Sequence, residues 1–266
     1  MSKVFYQIVS PLPLDTREDA RRLLGLWAEC APGFFPDRTG SGHPFREKLS
    51  PTTIEVAFKH WWSQCVLKRV TPPKLDASVF MRVVVPQTKH SDWSIGLDRL
   101  RDYNPPVFYH LLRRAAVMFK ADFGLIHHLT EAEMTRGREN GSVTYLNTAK
   151  TEKNLFVPSI ILKKYIPDVY WITLFGAPYV RLFSRERLLS APVHRVDELE
   201  NGSIILQLTA HLDATVTEEA AFERLRSRVR KHLDCDAIFD EKKGPNYGYR
   251  VPQFEWEPLR QEQLLQ

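Results

Sequence analysis

Five cations crowd one stretch of the chain, Arg224, Arg226, Arg228, Arg230 and Lys231, within the run Arg-Leu-Arg-Ser-Arg-Val-Arg-Lys from 224 to 231. Cations at that density could contact phosphates, and a clustered basic stretch is the electrostatic footprint of a nucleic-acid-binding surface. A solvated helix face accounts for the same run, because basic residues near a helix C-terminus are favoured by the macrodipole. The net charge does not decide between them: 37 basic minus 32 acidic residues leaves +5, and the two signs are interspersed along the rest of the chain.

Catalytic and metal-binding patterns are sparse. Neither Gly-x-Gly-x-x-Gly nor Gly-x-x-x-x-Gly-Lys occurs, which argues against a phosphate-cradling loop, and Thr39-Gly40-Ser41-Gly42-His43 reads as a plain turn. A Gly-x-Ser-x-Gly elbow and a His-Glu-x-x-His zinc helix are missing too. His127 and His128 are adjacent, so their side chains diverge in a helix or a strand, and His60, His90 and Asp92 lack ligand spacing. Cys30, Cys65 and Cys235 are odd in number and far apart, which fits buried inert thiols in a reducing cytosol better than disulfides or a paired metal site. Trp61-Trp62 and Tyr170-Trp171 could stack on bases, but core packing is the simpler reading. These residues point to a protein that binds rather than catalyses, with no metal and no cofactor.

Three helices would position these groups. The first spans about 16–31, with Ala20, Leu23, Leu24, Trp27 and Ala28 on one face and a Thr16/Asp19 start. A second spans about 105–121, with Phe108, Leu111, Leu112, Ala115 and Phe119 inward. The third opens on a Thr215-x-x-Glu218 capping box and carries Phe222, Leu225, Val229 and Leu233 inward, which places the basic run on it. Segments 4–9, 65–70, 78–85, 170–174 and 203–209 read as strands. The class is α+β: a mixed or antiparallel sheet with three main helices packed on it.

Two α+β portions are expected, 1–130 and 131–266, the second ending in an extended strap in which Tyr247, Tyr249, Phe254 and Trp256 pack on the body; one continuous domain is the alternative. The polar, turn-prone stretch 130–154 reads as a crossing loop, and 259–266 as a frayed end. With 43% hydrophobic residues and a mean hydropathy of −0.32, the composition is that of a folded domain rather than a disordered one. A signal peptide is not expected from 1–14, apolar stretches fall short of a bilayer's thickness, and the expected location is cytoplasmic.

Several short patterns add to this. Pro36-Asp37-Arg38-Thr39-Gly40 after Phe34-Phe35, then Val66-Leu67-Lys68-Arg69 and Pro72-Pro73, resemble amino-terminal landmarks of bacterial polymorphic-toxin immunity proteins of the immunity protein 52 family. Trp171-x-Thr173-x-Phe175-Gly176-x-Pro178-Tyr179-Val180, Leu188 to Pro192 and Leu206-Gln207-Leu208-Thr209 are similar to the carboxyl-terminal signature of that group. The resemblance implies a cytoplasmic protein that neutralises a cognate toxin by direct contact, the toxin being for instance a nuclease delivered by type VI secretion. It implies no membrane partner and no small-molecule substrate. Inhibitors of nucleases often mimic nucleic acid with acidic residues, and Asp197, Glu198 and Glu200, on a loop before the strand at 203–209, are the candidates for a toxin-binding patch, a solvated turn being the plainer reading.

Overall fold

The computed structural model describes residues 3–40, 45, 47–82, 89–98, 102–130, 133 and 155–258. Strand β1 (Lys3–Ser10) is apolar or buried at nearly every position because it lies in the middle of a sheet covered on both faces. It is flanked by β6 (Ser91–Leu97) and β7 (Phe123–Leu129), both antiparallel to it. Beyond β6 the sheet continues through β5 (Leu75–Phe80), β4 (Gln64–Arg69), β2 (Arg38–Gly40) and β3 (Glu47–Lys48). Beyond β7 it continues through β8 (Ile172–Phe175), β10 (Ile204–Gln207) and the edge strand β9 (Arg195–Glu198). The result is one ten-stranded sheet with every neighbouring pair antiparallel, joining strands from both ends of the chain.

Helix α1 (Arg17–Cys30) starts where the residues say it should. The Thr16 hydroxyl accepts from Asp19 N–H at 3.1 Å and the Asp19 carboxylate accepts from Thr16 N–H at 3.2 Å, a complete capping box. Its inward Trp27 packs edge-on against Phe35 and on Trp93 of β6. Helix α2 (Pro105–Met118) is capped by Asn104 and opens on proline, whose missing N–H has no partner to lose there. Its Phe108 meets Tyr6 of β1, Phe34 and Tyr103, so α1 and α2 share one aromatic layer over the centre of the sheet. Elsewhere on β1, buried Gln7 uses both ends of its amide on the Val157 backbone, donating at 3.2 Å and accepting at 2.9 Å.

The α+β class holds, with more helices and more strands than the periodicity indicates. Short helices α3 (Ser159–Leu162), α4 (Ala177–Phe183), α5 (Arg185–Leu189) and α6 (Ala214–Thr217) join the three longer ones. The third long helix, α7 (Glu219–Leu233), begins later than its supposed capping box. Thr215 instead donates to Leu212 O at 2.8 Å and accepts from His128 Nδ1 at 3.1 Å, and the backbone breaks at Glu218 (φ −129, ψ 37). β7 escapes detection because it is buried on both faces and does not alternate, and β6 because Ser, Asp and Gly dilute its apolar content. Of the strand expected at 78–85, residues 78–80 belong to β5, which begins earlier at Leu75, and 83–85 lie outside the described residues. Nearly all of the polar stretch 130–154, and the tail 259–266, lie outside the described residues.

The stretch 244–258 lies along the body without becoming a strand. Tyr249 is buried against Tyr165 and Phe239, while Phe254 and Trp256 stand edge-on to the His90 ring. Tyr247 is the exception, 42% exposed and touching Tyr249.

One glycine is required by space rather than by dihedral angle. Gly176 sits between β8 and α4, donates to Asp122 O at 2.9 Å, and a Cβ there would stand 2.1 Å from Ala121 O. Gly176→Ala is therefore expected to lower unfolding free energy by about 3 kcal/mol through forced displacement of the turn before β7, measured by denaturant titration; an unchanged midpoint would contradict this packing.

Candidate functional site

Helix α7 has two chemically different sides. Phe222, Val229 and Leu233 are buried on one, and Arg226 is buried with them at 2% exposure. A guanidinium so enclosed must be paired, and it is. Arg226 Nη2 reaches Glu133 Oε1 at 2.5 Å, its Nη1 reaches Asp168 Oδ2 at 3.3 Å and Glu223 Oε1 at 3.0 Å, and it lies over the Phe222 ring at 4.9 Å. One turn on, Arg230 grips the same Asp168 with two bonds, 2.8 Å and 2.5 Å.

His127 closes the cluster from β7. Its Nδ1 accepts from Trp171 N–H at 3.2 Å, so Nε2 carries the proton donated to Glu133 at 2.9 Å. Burial acts to raise the Asp168 carboxyl, but Arg226 and Arg230 hold it below its ordinary value. Burial likewise opposes the charge on Glu133, and His127 with Arg226 hold that carboxyl well below the usual range. The C-terminus of α7 is secured separately, by Arg187 Nη1 donating to Leu233 O at 2.8 Å. Beside this cluster lies a cleft of about 490 Å³ bordered by Arg230, Lys231, Cys235, Glu241 and Lys242.

The five cations of the basic run are thus not equivalent. Arg226 is buried and paired with Glu133, Asp168 and Glu223, and the partly exposed Arg230 is paired with Asp168, which corrects the expectation that either offers a free guanidinium to phosphate. Arg224, Arg228 and Lys231 are exposed. Glu133 and Asp168, decisive for this site, carried no signal of their own, because they stand 93 and 58 residues from Arg226.

The acidic candidates also change character. Asp197 and Glu198 lie on edge strand β9, not on a loop, because Arg195 to Glu198 pairs with Ile204 to Gln207. Asp197 accepts from the Tyr109 hydroxyl and pairs with Arg195 at 2.7 Å and Arg113 at 3.6 Å. Glu198 takes two bonds from Arg185, at 2.7 Å and 2.5 Å. Partial burial of Asp197 is outweighed by Tyr109 and Arg195, which lower its carboxyl, and Arg185 lowers that of Glu198. Glu198 and Glu200 are exposed, the latter in the adjoining turn, and only Asp197 is partly buried. The three do not form a free acidic patch.

A Ser–His–Asp hydrogen-bond chain is also present. The Ser159 hydroxyl meets His90 Nδ1 at 2.7 Å and also accepts from His90 N–H at 2.7 Å, while His90 Nε2 meets Asp122 at 3.1 Å. Burial pushes His90 down and Asp122 up, so both are driven toward neutral forms. With Phe254 and Trp256 against the ring, the chain ties α3 and the strap to the sheet. Among the described residues no group of three His, Cys, Asp or Glu side chains is placed to hold a metal ion, and no helix is long and apolar enough to cross a membrane. Of the aromatic pairs, Trp61, Tyr170 and Trp171 are core residues, whereas Trp62 is 65% exposed.

Within each block of short patterns, some members are structural partners. Arg38 and Thr39 of β2 pair with Lys68 and Leu67 of β4, and the Asp37 carboxylate accepts from Val70 and Thr71 N–H. In the second block, Trp171 Nε1 donates to Thr209 O at 3.0 Å and Leu208 N–H donates to Trp171 O at 2.8 Å.

No family model matches this chain, and no curated protein matches it. Among solved structures its fold is similar to that of the Pseudomonas aeruginosa T6SS protein PA0821, with a TM-score of 0.55 and 12% identity, over 94% of this chain and 79% of that one. At such low identity the likeness is one of fold.

Two measurements check the site. Asp168→Asn leaves two guanidinium groups short of a partner and is expected to cost about 3–5 kcal/mol at pH 7; a loss under about 1 kcal/mol would contradict the cluster's geometry. The depressed Asp168 and Glu133 carboxyls stabilise the fold above their unfolded values, and that contribution is lost as pH falls through their folded ones. His128, brought down from 6.5 to about 4 by burial and by His127, stabilises above pH 6.5 and ceases to do so between 6.5 and 4. The melting temperature is thus expected to decline from pH 7 toward 4 and to drop further below it, and a flat profile would contradict this. Cysteine exposure corrects the reading of three buried thiols, for Cys235 is exposed, Cys30 half-buried and Cys65 buried, its thiol pushed up to about 11. Ellman's reagent is expected to label Cys235 in the native protein and Cys65 only on unfolding.

Proposed function

We propose that this protein is an immunity protein that binds a cognate toxin, a nuclease effector of type VI secretion, and blocks it in the cytoplasm by forming a stoichiometric complex. It turns nothing over and needs no cofactor. The observation that carries the reading is the correspondence of fold with a T6SS protein across 94% of this chain. The immunity-like patterns support it, since they fall in strands of the sheet and in the short helices α4 and α5 beside it, as a binding scaffold requires.

An extended antiparallel sheet suits inhibition by surface complementarity, in which an interface of roughly 1,200–2,000 Å² is dominated by a few anchors. Nucleic-acid binding through the basic run is the weaker reading, because two of its five cations are already paired with carboxylates.

The test is expression of the product of the adjacent gene in a host with and without this protein. Growth is expected to stop in its absence and to resume when it is supplied in trans, with the two proteins co-purifying at fixed ratio. Equal growth arrest in both strains would overturn the reading.

A further inference from the structure

We propose, resting on the immunity reading above, that the toxin is recognised through an acidic surface that docks on the exposed cationic stripe of α7, Arg224, Arg228 and Lys231. At 100° per residue these three positions fall within about 60° of arc, on the side opposite Phe222, Arg226, Val229 and Leu233. All three are exposed, and they make no ion pair among the described residues. The neighbouring exposed positions on that face, Ala220 and Ser227, are small and leave the cations accessible to a flat partner.

The stripe is not explained by the needs of the helix. Arg230, Lys231 and His232 lie in the last turn, where the macrodipole favours positive charge. Arg224 and Arg228 lie outside that turn, and as like charges at i and i+4, with Lys231 three residues further, they repel one another. Placing them there disfavours the helix slightly without an ion pair in return among the described residues, as functional positions do. Meanwhile Arg226, Arg230 and the Arg187 cap fix the rotation of α7, so the stripe is presented with little freedom left to lose on binding.

Charge complementarity then selects the partner. The surface that would imitate nucleic acid is neutralised, since Asp197 is held by Arg195 and Arg113 and Glu198 by Arg185. With a net charge of +5 and three cations on one face without an ion pair among the described residues, the chain is suited to an acidic protein surface, which lies apart from a nuclease's cationic substrate groove.

The experiment compares three full-length proteins by titration against the adjacent gene's product: wild type, Arg224→Glu/Arg228→Glu/Lys231→Glu, and a control of equal charge change, Arg17→Glu/Lys74→Glu/Lys164→Glu. Circular dichroism and melting confirm folding of each. The stripe variant is expected to bind at least about tenfold more weakly than the control, and wild-type affinity to fall with added salt. Equal affinity of the two variants would overturn the docking surface while leaving the immunity role standing. Absence of any wild-type complex would overturn the immunity role itself. Stripe-dependent binding of a DNA duplex, without binding of the protein, would overturn both in favour of nucleic-acid recognition.

Discussion

A buried guanidinium has no stable place in a protein interior unless carboxylates come to it, and the carboxyl-terminal part of this fold is arranged around that constraint. Arg226 draws Glu133 from beyond β7, Asp168 from before β8 and Glu223 from its own helix. Asp168 is shared with Arg230, and Glu133 with His127. Hydrophobic contacts alone would allow α7 to roll by part of a turn over the sheet; a cluster with fixed partners does not. The cluster acts through geometry more than through net energy, because buried ion pairs repay their desolvation only when each member is well placed.

The sheet supplies the frame for that arrangement. β1 and β7 are buried on both faces, so each residue in them is determined by neighbours on two sides, and substitutions there have little room to relax. Aromatic layers from α1 and α2 cover the middle, and the strap secures the rim through Phe254 and Trp256 on His90. The Ser159–His90–Asp122 chain belongs to this frame. It has the hydrogen-bond order of a hydrolase triad with the two ring nitrogens exchanged, and the strap side chains stand against its imidazole.

How much was legible in the residues follows from the range of the forces involved. Helix α1 was readable to within a residue or two because its cap and its apolar face are encoded within a few positions. Strands β4 and β10 were readable because β-branched or aromatic residues lie between turn residues. β7 was not, since burial on both faces erases alternation. The capping box at Thr215 misled because a local signal lost to a long-range partner, His128, 87 residues away. The same limit governed the candidate site. The basic run was visible, but which of its arginines face inward depended on Glu133 and Asp168, and the acidic candidates were neutralised by Arg185, Arg195 and Arg113 from other elements.

A helix with paired cations on its inner side and exposed cations on its outer side has a direct chemical readout. Arginine modification by phenylglyoxal, mapped by mass spectrometry on the free protein and on its complex with the adjacent gene's product, reports each guanidinium separately. Arg224 and Arg228 are predicted to react in the free protein and to be protected in the complex, with Arg226 unreactive in both. Reaction of Arg226 at the rate of Arg224, or unchanged reactivity of Arg224 and Arg228 in a stable complex, would contradict the account.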